Sequence, residues 1–164
     1  MSTCASLVVG ADGSTSKAGS SRGVGSSADR SVFLARRAEF DVIIIGGNTA
    51  RNEPYRKTPV PVVVVSTSMA NALADNRQAY WWNASPSMAI ERARRLFGPT
   101  ILIEAGQSII TELISLNMID RLELSVTPIT GGEDRIVIKG LLAHFPSVSS
   151  ETEGDTVFYT ATRL

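Results

Sequence analysis

The chain has 164 residues, 43% hydrophobic and 20% charged, the composition of one globular domain long enough to bury a full core. Sixteen basic and sixteen acidic residues cancel, so no global charge draws the chain to nucleic acid or to an anionic membrane. One cysteine, Cys4, excludes an internal disulfide, and with His144 as the one histidine a zinc site of His and Cys ligands is excluded too, so no metal is expected.

The first residues lack the basic region and apolar stretch of a signal peptide, and no apolar run reaches the length of a membrane span. A cytoplasmic protein is expected. Ala5 to Val9 is a short apolar run ending at Gly10, with Ala11-Asp12-Gly13 as a strand exit. Residues 13 to 27 are rich in Ser and Gly. Too little chain precedes them for a linker between domains, so they also fit a binding loop that orders around a ligand. Ser26 or Ser27 can cap the next helix, in which Val32, Phe33, Leu34 and Ala38 form an apolar stripe and Arg30, Arg36 and Arg37 a solvated surface.

Val42 to Ile45 is a β-branched run suited to a strand buried on both faces. It stops at Gly46-Gly47, where a backbone without Cβ atoms can approach a ligand, and the polar loop Asn48-Thr49-Ala50-Arg51-Asn52-Glu53 follows. The glycine pair alone equally fits an ordinary strand exit. Val62 to Val65 is a second buried strand, ending at Ser66-Thr67-Ser68. Ala70 to Ala74 suggests a helical turn, and Gln78 to Trp82 a short strand whose tryptophans pack rather than stack on bases, since no basic residues interleave them.

Ser85-Pro86 opens a helix to Phe97, with Met88, Ile90, Ala93, Leu96 and Phe97 inward. Thr100 to Ile103 is the next strand. Glu104-Ala105-Gly106-Gln107-Ser108 then leads into a helix with Ile109, Ile110, Leu113, Ile114 and Leu116 inward, and a strand, small turn and helix N-terminus in succession suit a phosphate. Leu122, Leu124 and Val126 alternate with polar residues as in a half-exposed strand; 136 to 138 and 156 to 162 read as further strands, plausibly antiparallel at one edge.

In this order and spacing, Ala11-Asp12-Gly13, Ser26 to Arg30, Arg37-Ala38, Asp41 through Tyr55, Glu104 to Gln107 and Asp120 to Pro128 resemble the reductase domain of the bacterial riboflavin deaminase-reductase. The likeness is greatest to stand-alone pyrimidine reductase members of the dihydrofolate-reductase-like superfamily. It implies one domain over residues 1 to 164, a three-layer α/β dihydrofolate-reductase-like fold and a mostly parallel sheet with an antiparallel edge. It also implies NADPH as hydride donor, a homodimer, and a small heterocyclic substrate, a phosphoribosylamino-uracil whose ribosylamino group is reduced. By that resemblance Gly46, Gly47, Asn48, Thr49 and Glu53 line the cofactor, Ser66 lies near its adenosine, and Gly106, Gln107, Ser108, Ile109 and Ile110 hold phosphate. On the substrate side are Asp12, Ser21, Arg37 and Glu104, with Glu53 and Asp12 the catalytic candidates.

Two glycines depart from the family pattern, besides Asn52-Glu53-Pro54, which stands for the acidic Asp-Asp/Asn-Pro segment of riboflavin-pathway members in the shorter form of the stand-alone group. Gly10 stands where a serine is usual, and Gly23 where an aromatic is common. Their missing side chains fit an alternative, a non-catalytic dimeric ligand-binding protein; a dihydrofolate or pterin reductase is the third reading.

Overall fold

The computed structural model describes residues 1–163. In chain order the elements are β1 (Ser2–Val9), α1 (Ser27–Arg36), β2 (Val42–Gly46), α2 (Gly47–Asn52), β3 (Val62–Val65) and β4 (Ala79–Trp82). They continue with α3 (Pro86–Leu96), β5 (Thr100–Ile103), α4 (Gln107–Ser115), β6 (Arg121–Val126), α5 (Ile138–Leu142), β7 (Ser147–Glu153) and β8 (Thr156–Thr162). Short 3-10 turns at Ser21–Gly23 and Arg37–Glu39 flank α1.

The strands form one sheet in the order β4-β3-β2-β5-β1-β6-β8-β7. From β4 to β6 neighbours are parallel, while β8 runs antiparallel to both β6 and β7. This is the mostly parallel α/β sheet with an antiparallel edge expected from the sequence. Parallel neighbours need crossovers that cover the sheet faces, which is why β2 and β3 are continuously apolar rather than alternating. Val42 and Ile44 pack into one core with Ala89, Ile90 and Ala93 of α3 and Ile110, Leu113 and Ile114 of α4. Ile43 and Ile45 point the other way, into a second core with Phe40, Ala50, Tyr55 and Leu73. The chain leaves β1, builds outward through β2, β3 and β4, then inserts β5 between β1 and β2. The carboxyl ends of β1, β2 and β5 therefore open on one side at a switch point, the usual place for a ligand in such sheets.

Capping fixes two helix starts. The Asp29 N–H donates to Ser26 Oγ at 3.1 Å and the Met88 N–H to Ser85 Oγ at 3.3 Å, with Pro86 in the first turn of α3.

Several local expectations are corrected. The segment after Gly46 is the short helix α2, not a loop; one apolar position in six, Ala50, gives no periodicity to read, yet that residue seats the helix in the core. Residues 136 to 138 are not a strand. The Ile136 N–H bonds the Gly13 carbonyl at 2.9 Å, and Ile138 starts α5. Residues 70 to 74 contain a hydrogen-bonded turn closed by Asn76 on Leu73, rather than a turn of helix. Leu34, Met88, Leu96 and Leu116 are exposed, and Ala89 fills an inward position of α3. Ala38 is exposed and Arg37 is buried, the reverse of the assigned faces. Strand β7 was not signalled, because all seven of its residues are exposed and it forms only by pairing with β8.

Candidate active site

A cleft of about 850 Å³ opens at the carboxyl ends of the central strands. One wall is the serine-rich segment and α1, with Ser21, Arg22, Arg30, Phe33 and Arg37. The other is Asn48, Thr49, Asn52, Glu53 and Tyr55 from α2 and its exit, joined by Glu104, Gly106, Gln107 and Ser108 after β5.

At its base lies a buried cluster assembled from three distant segments. The Arg37 guanidinium donates through Nε to both Glu104 carboxylate oxygens at 3.1 Å and through Nη2 to Oε2 at 2.9 Å. The Tyr55 hydroxyl donates to the same Oε2 at 2.6 Å. The Arg37 guanidinium carbon lies 4.5 Å from the Tyr55 ring centroid and 5.1 Å from that of Phe33. Aromatic faces thus cover a cation whose hydrogen-bonding fork is directed at one carboxylate. Burial pushes the Glu104 carboxyl up, against the downward pull of Arg37 and then Tyr55. Burial and then the Glu104 charge drive the Tyr55 phenol well above its ordinary range, so Tyr55 remains a proton donor. Burial opposes the charge on Arg37, but its bond to Glu104, the Glu104 charge and Tyr55 together outweigh this and its pKa is raised.

Glu53 shapes the cleft differently. Its Oε1 accepts from the Ser21 N–H and Ser21 Oγ, both at 2.9 Å, and from Ser20 Oγ at 3.2 Å. One carboxylate oxygen therefore holds the serine-rich segment against the exit of α2. Within that segment Lys17 and Ser20 exchange hydrogen bonds across a tight turn with positive φ at Ala18 and Gly19, and Ser16 bridges to Glu133.

The two glycine departures from the family pattern have backbone reasons. A Cβ on Gly10 would sit 2.3 Å from the Ile129 carbonyl oxygen, and one on Gly23 would sit 2.4 Å from the Lys17 carbonyl oxygen. Both glycines permit close approach of chain segments that frame the cleft.

The expected site residues divide into four groups. Ser21, Arg37, Asn48, Thr49, Glu53, Glu104, Gly106, Gln107 and Ser108 line the cleft together. Gly46, Gly47 and Ser66, at the ends of β2 and β3, are outside its lining: a Cβ on Gly46 would lie 3.0 Å from Ile109 Cδ1, and one on Gly47 would lie 2.7 Å from Ser66 Oγ, so side chains of the protein occupy the space beside both glycines. Ile109 is partly buried against the core and Ile110 is fully buried within it, so both pack α4.

Asp12 is outside the cleft lining. It accepts from Ser14 Oγ at 2.6 Å and from the Gly131 N–H at 2.8 Å, and pairs with Arg135 at 3.2 Å. The Ser14 hydroxyl and the Gly131 N–H hold its pKa down, to about 2, so it stays an unprotonated clamp between loops. Tyr55 lines the cleft and bonds Glu104 although the sequence assigns it no role; its position at the end of the Asp41 to Tyr55 segment is the available signal.

The cleft has donors suited to an anionic cofactor. The first three N–H groups of α4 have no intrahelical acceptor, Gly106 caps the helix without a side-chain bond, and no atom lies within 4 Å of where a Gly106 Cβ would be.

A polar cleft at the switch point of an eight-stranded, mostly parallel sheet with an antiparallel edge defines an α/β domain with a ligand-sized site. The chain belongs to the RibD C-terminal domain family, whose model matches residues 3–158. It is similar in structure to a pyrimidine reductase-like protein from Corynebacterium diphtheriae, at 18% identity and a TM-score of 0.68, covering 98% of this chain and 91% of that one. It is also similar to a diaminohydroxyphosphoribosylaminopyrimidine deaminase/5-amino-6-(5-phosphoribosylamino)uracil reductase from Thermotoga maritima, at 13% identity and a TM-score of 0.71. RibD of Acinetobacter baumannii is a further neighbour, at 14% identity and a TM-score of 0.65. This chain is covered to 98% in both comparisons and spans 56% and 57% of those two longer chains. A search of curated proteins returns no match.

Proposed function

We propose that the chain is an NADPH-dependent reductase of a phosphoribosylamino-pyrimidine in or near riboflavin biosynthesis, acting as a cytoplasmic homodimer. The observation that carries this reading is one cleft with two unlike ends. The open α4 N-terminus at Gly106 suits cofactor phosphate, and the buried Arg37–Glu104–Tyr55 cluster offers fixed polarity beside it.

When bound, the cofactor supplies hydride. The chain supplies alignment, exclusion of water and control of protons. Gln107 and Ser108 would hold phosphate through their N–H groups, with Asn48 and Thr49 along the same wall. Arg37 fixes Glu104, and Tyr55 keeps a proton on its phenol oxygen in a dry setting. Glu53 acts as a positioning residue, because its carboxylate holds Ser20 and Ser21 in the opposite wall. Gly10 and Gly23 give little weight to a non-catalytic reading, since each serves a close backbone contact.

Titration of the pure protein with NADPH, followed by cofactor fluorescence, is the direct test; absence of saturable binding at millimolar cofactor would sink the proposal. Thr49→Ala and Glu53→Ala are expected to weaken binding or turnover without unfolding the chain. Turnover of 5-amino-6-(5-phosphoribosylamino)uracil, set against that of dihydrofolate, separates the substrate readings, and sedimentation reads the dimer.

A further inference from the structure

Three carboxylates line the cleft, those of Glu53, Glu104 and Asp134. Glu53 holds Ser20 and Ser21, and Glu104 is buried against Arg37 and Tyr55. Among the described residues no hydrogen bond or ion pair engages the Asp134 carboxylate. Asp134 is exposed on the part of the rim that it shares with Thr15 and Ser16.

The backbone around this acid is fixed from both sides. Its φ of 51° lies in the left-handed region, which costs any side chain something and which Asp and Asn tolerate best after glycine. On one side the Thr15 N–H donates to the Glu133 carbonyl at 3.1 Å and the Glu133 N–H to that of Ser16 at 2.8 Å. On the other, Arg135 pairs with Asp12 at 3.2 Å and the Ile136 N–H bonds the Gly13 carbonyl at 2.9 Å. Thr15 Oγ1 donates to the Asp134 carbonyl itself at 2.8 Å. Glycine would meet the backbone requirement without strain, yet the position carries an acid whose side chain supports none of these bonds.

The charges of the cleft limit what this acid can meet. A free carboxylate repels a phosphate, whereas Arg22 and Arg30, which line the same cleft and make no ion pair among the described residues, attract one. The part of an anionic ligand beside Asp134 is therefore neutral and rich in donors, and a carboxylate can accept two of them at once. Vicinal hydroxyls of a phosphorylated pentose meet both conditions. We propose that Asp134 is a specificity-determining residue that accepts from the vicinal hydroxyls of the ligand's pentose. The proposal takes from the reductase reading that a phosphorylated pentose enters the cleft, and it adds the residue that tells a ribose from its deoxy counterpart.

The test is an NMR titration of the full chain with ribose 5-phosphate and with 2-deoxyribose 5-phosphate, with turnover of 5-amino-6-(5-phosphoribosylamino)uracil measured beside it. The wild type is expected to bind the ribose form about tenfold more tightly, since the hydrogen bond lost in the deoxy form is one to a charged acceptor. Asp134→Gly removes the carboxylate and suits the left-handed backbone, and Asp134→Asn keeps the shape without the charge. Both variants are expected to keep the wild-type melting temperature. Asp134→Gly should erase most of the discrimination and Asp134→Asn part of it, each raising KM with kcat little changed. Discrimination that survives in Asp134→Gly, affinity for both sugars lowered alike, or a wild type that binds the two equally or not at all overturns the proposal. A wild type that discriminates through Asp134 but turns over no substrate supports the proposal and overturns the reductase reading. Turnover without discrimination does the reverse.

Discussion

Arg37 and Glu104 meet across sixty-seven positions of sequence, both almost wholly out of water. Removing two charges from water costs several kcal/mol each, and only close pairing with further hydrogen bonds offsets it. Glu104→Gln should therefore lower stability by about 3–5 kcal/mol, because it leaves a buried guanidinium without its counter-charge. The double variant Arg37→Met/Glu104→Gln should recover part of the loss; denaturant unfolding of the set reads both effects, and strict additivity would argue against coupling. Asp12 makes a pH-dependent contribution. Its folded pKa, near 2, lies below the roughly 3.9 of an unfolded aspartate, so its stabilisation is present above about pH 4 and lost as pH falls toward 2. Asp12→Asn should flatten that part of an acid unfolding curve. The residue types of the site were legible as strand-end polar side chains, but their pairings were not. Arg37 on a helix otherwise rich in arginine reads as a surface charge until Glu104, Tyr55 and Phe33 close around it.

At the scale of elements, the serine-rich segment is held by neighbours distant in sequence rather than by its own composition. Glu53, Glu133 and the 129–136 stretch supply its bonds. Glu53→Ala should raise amide exchange across residues 15 to 25 while exchange in β2 and β5 stays slow; equal protection in variant and wild type would deny Glu53 that part. Restoring the family's usual serine is expected to harm this fold. Gly10→Ser drives a Cβ against the Ile129 carbonyl and should lower stability by about 1–3 kcal/mol, measured by thermal unfolding. Strands β2, β3 and β5 were readable because burial on both faces writes a continuous apolar run. Helix α2 and strand β7 were not, since one is anchored by a single alanine and the other by backbone pairing with β8 alone. Exposed Leu34, Met88 and Leu96 defeat periodicity for a related reason: amphipathic spacing marks which residues could be inside, and tertiary packing chooses among them.

Across the whole molecule, the sheet ends in two unlike edges. Strand β7 carries Glu151 and Glu153 on a fully exposed ribbon, charges that discourage further strand addition, while the β4 edge is aromatic, with Tyr80 packed edge-on against Trp82 and Phe97. Between them, β1 is flanked by β5 on one side and β6 on the other. Within this domain β1 is thus made well before either of its partner strands. At roughly 5–20 residues per second, Ser2–Val9 stays unpaired for on the order of ten seconds until residues 100 to 126 have been made, its apolar side chains open to chaperones or to one another. Ribosome-bound chains arrested before β5 clears the exit tunnel should be digested readily at β1, and resistance should appear in one step once β6 has emerged.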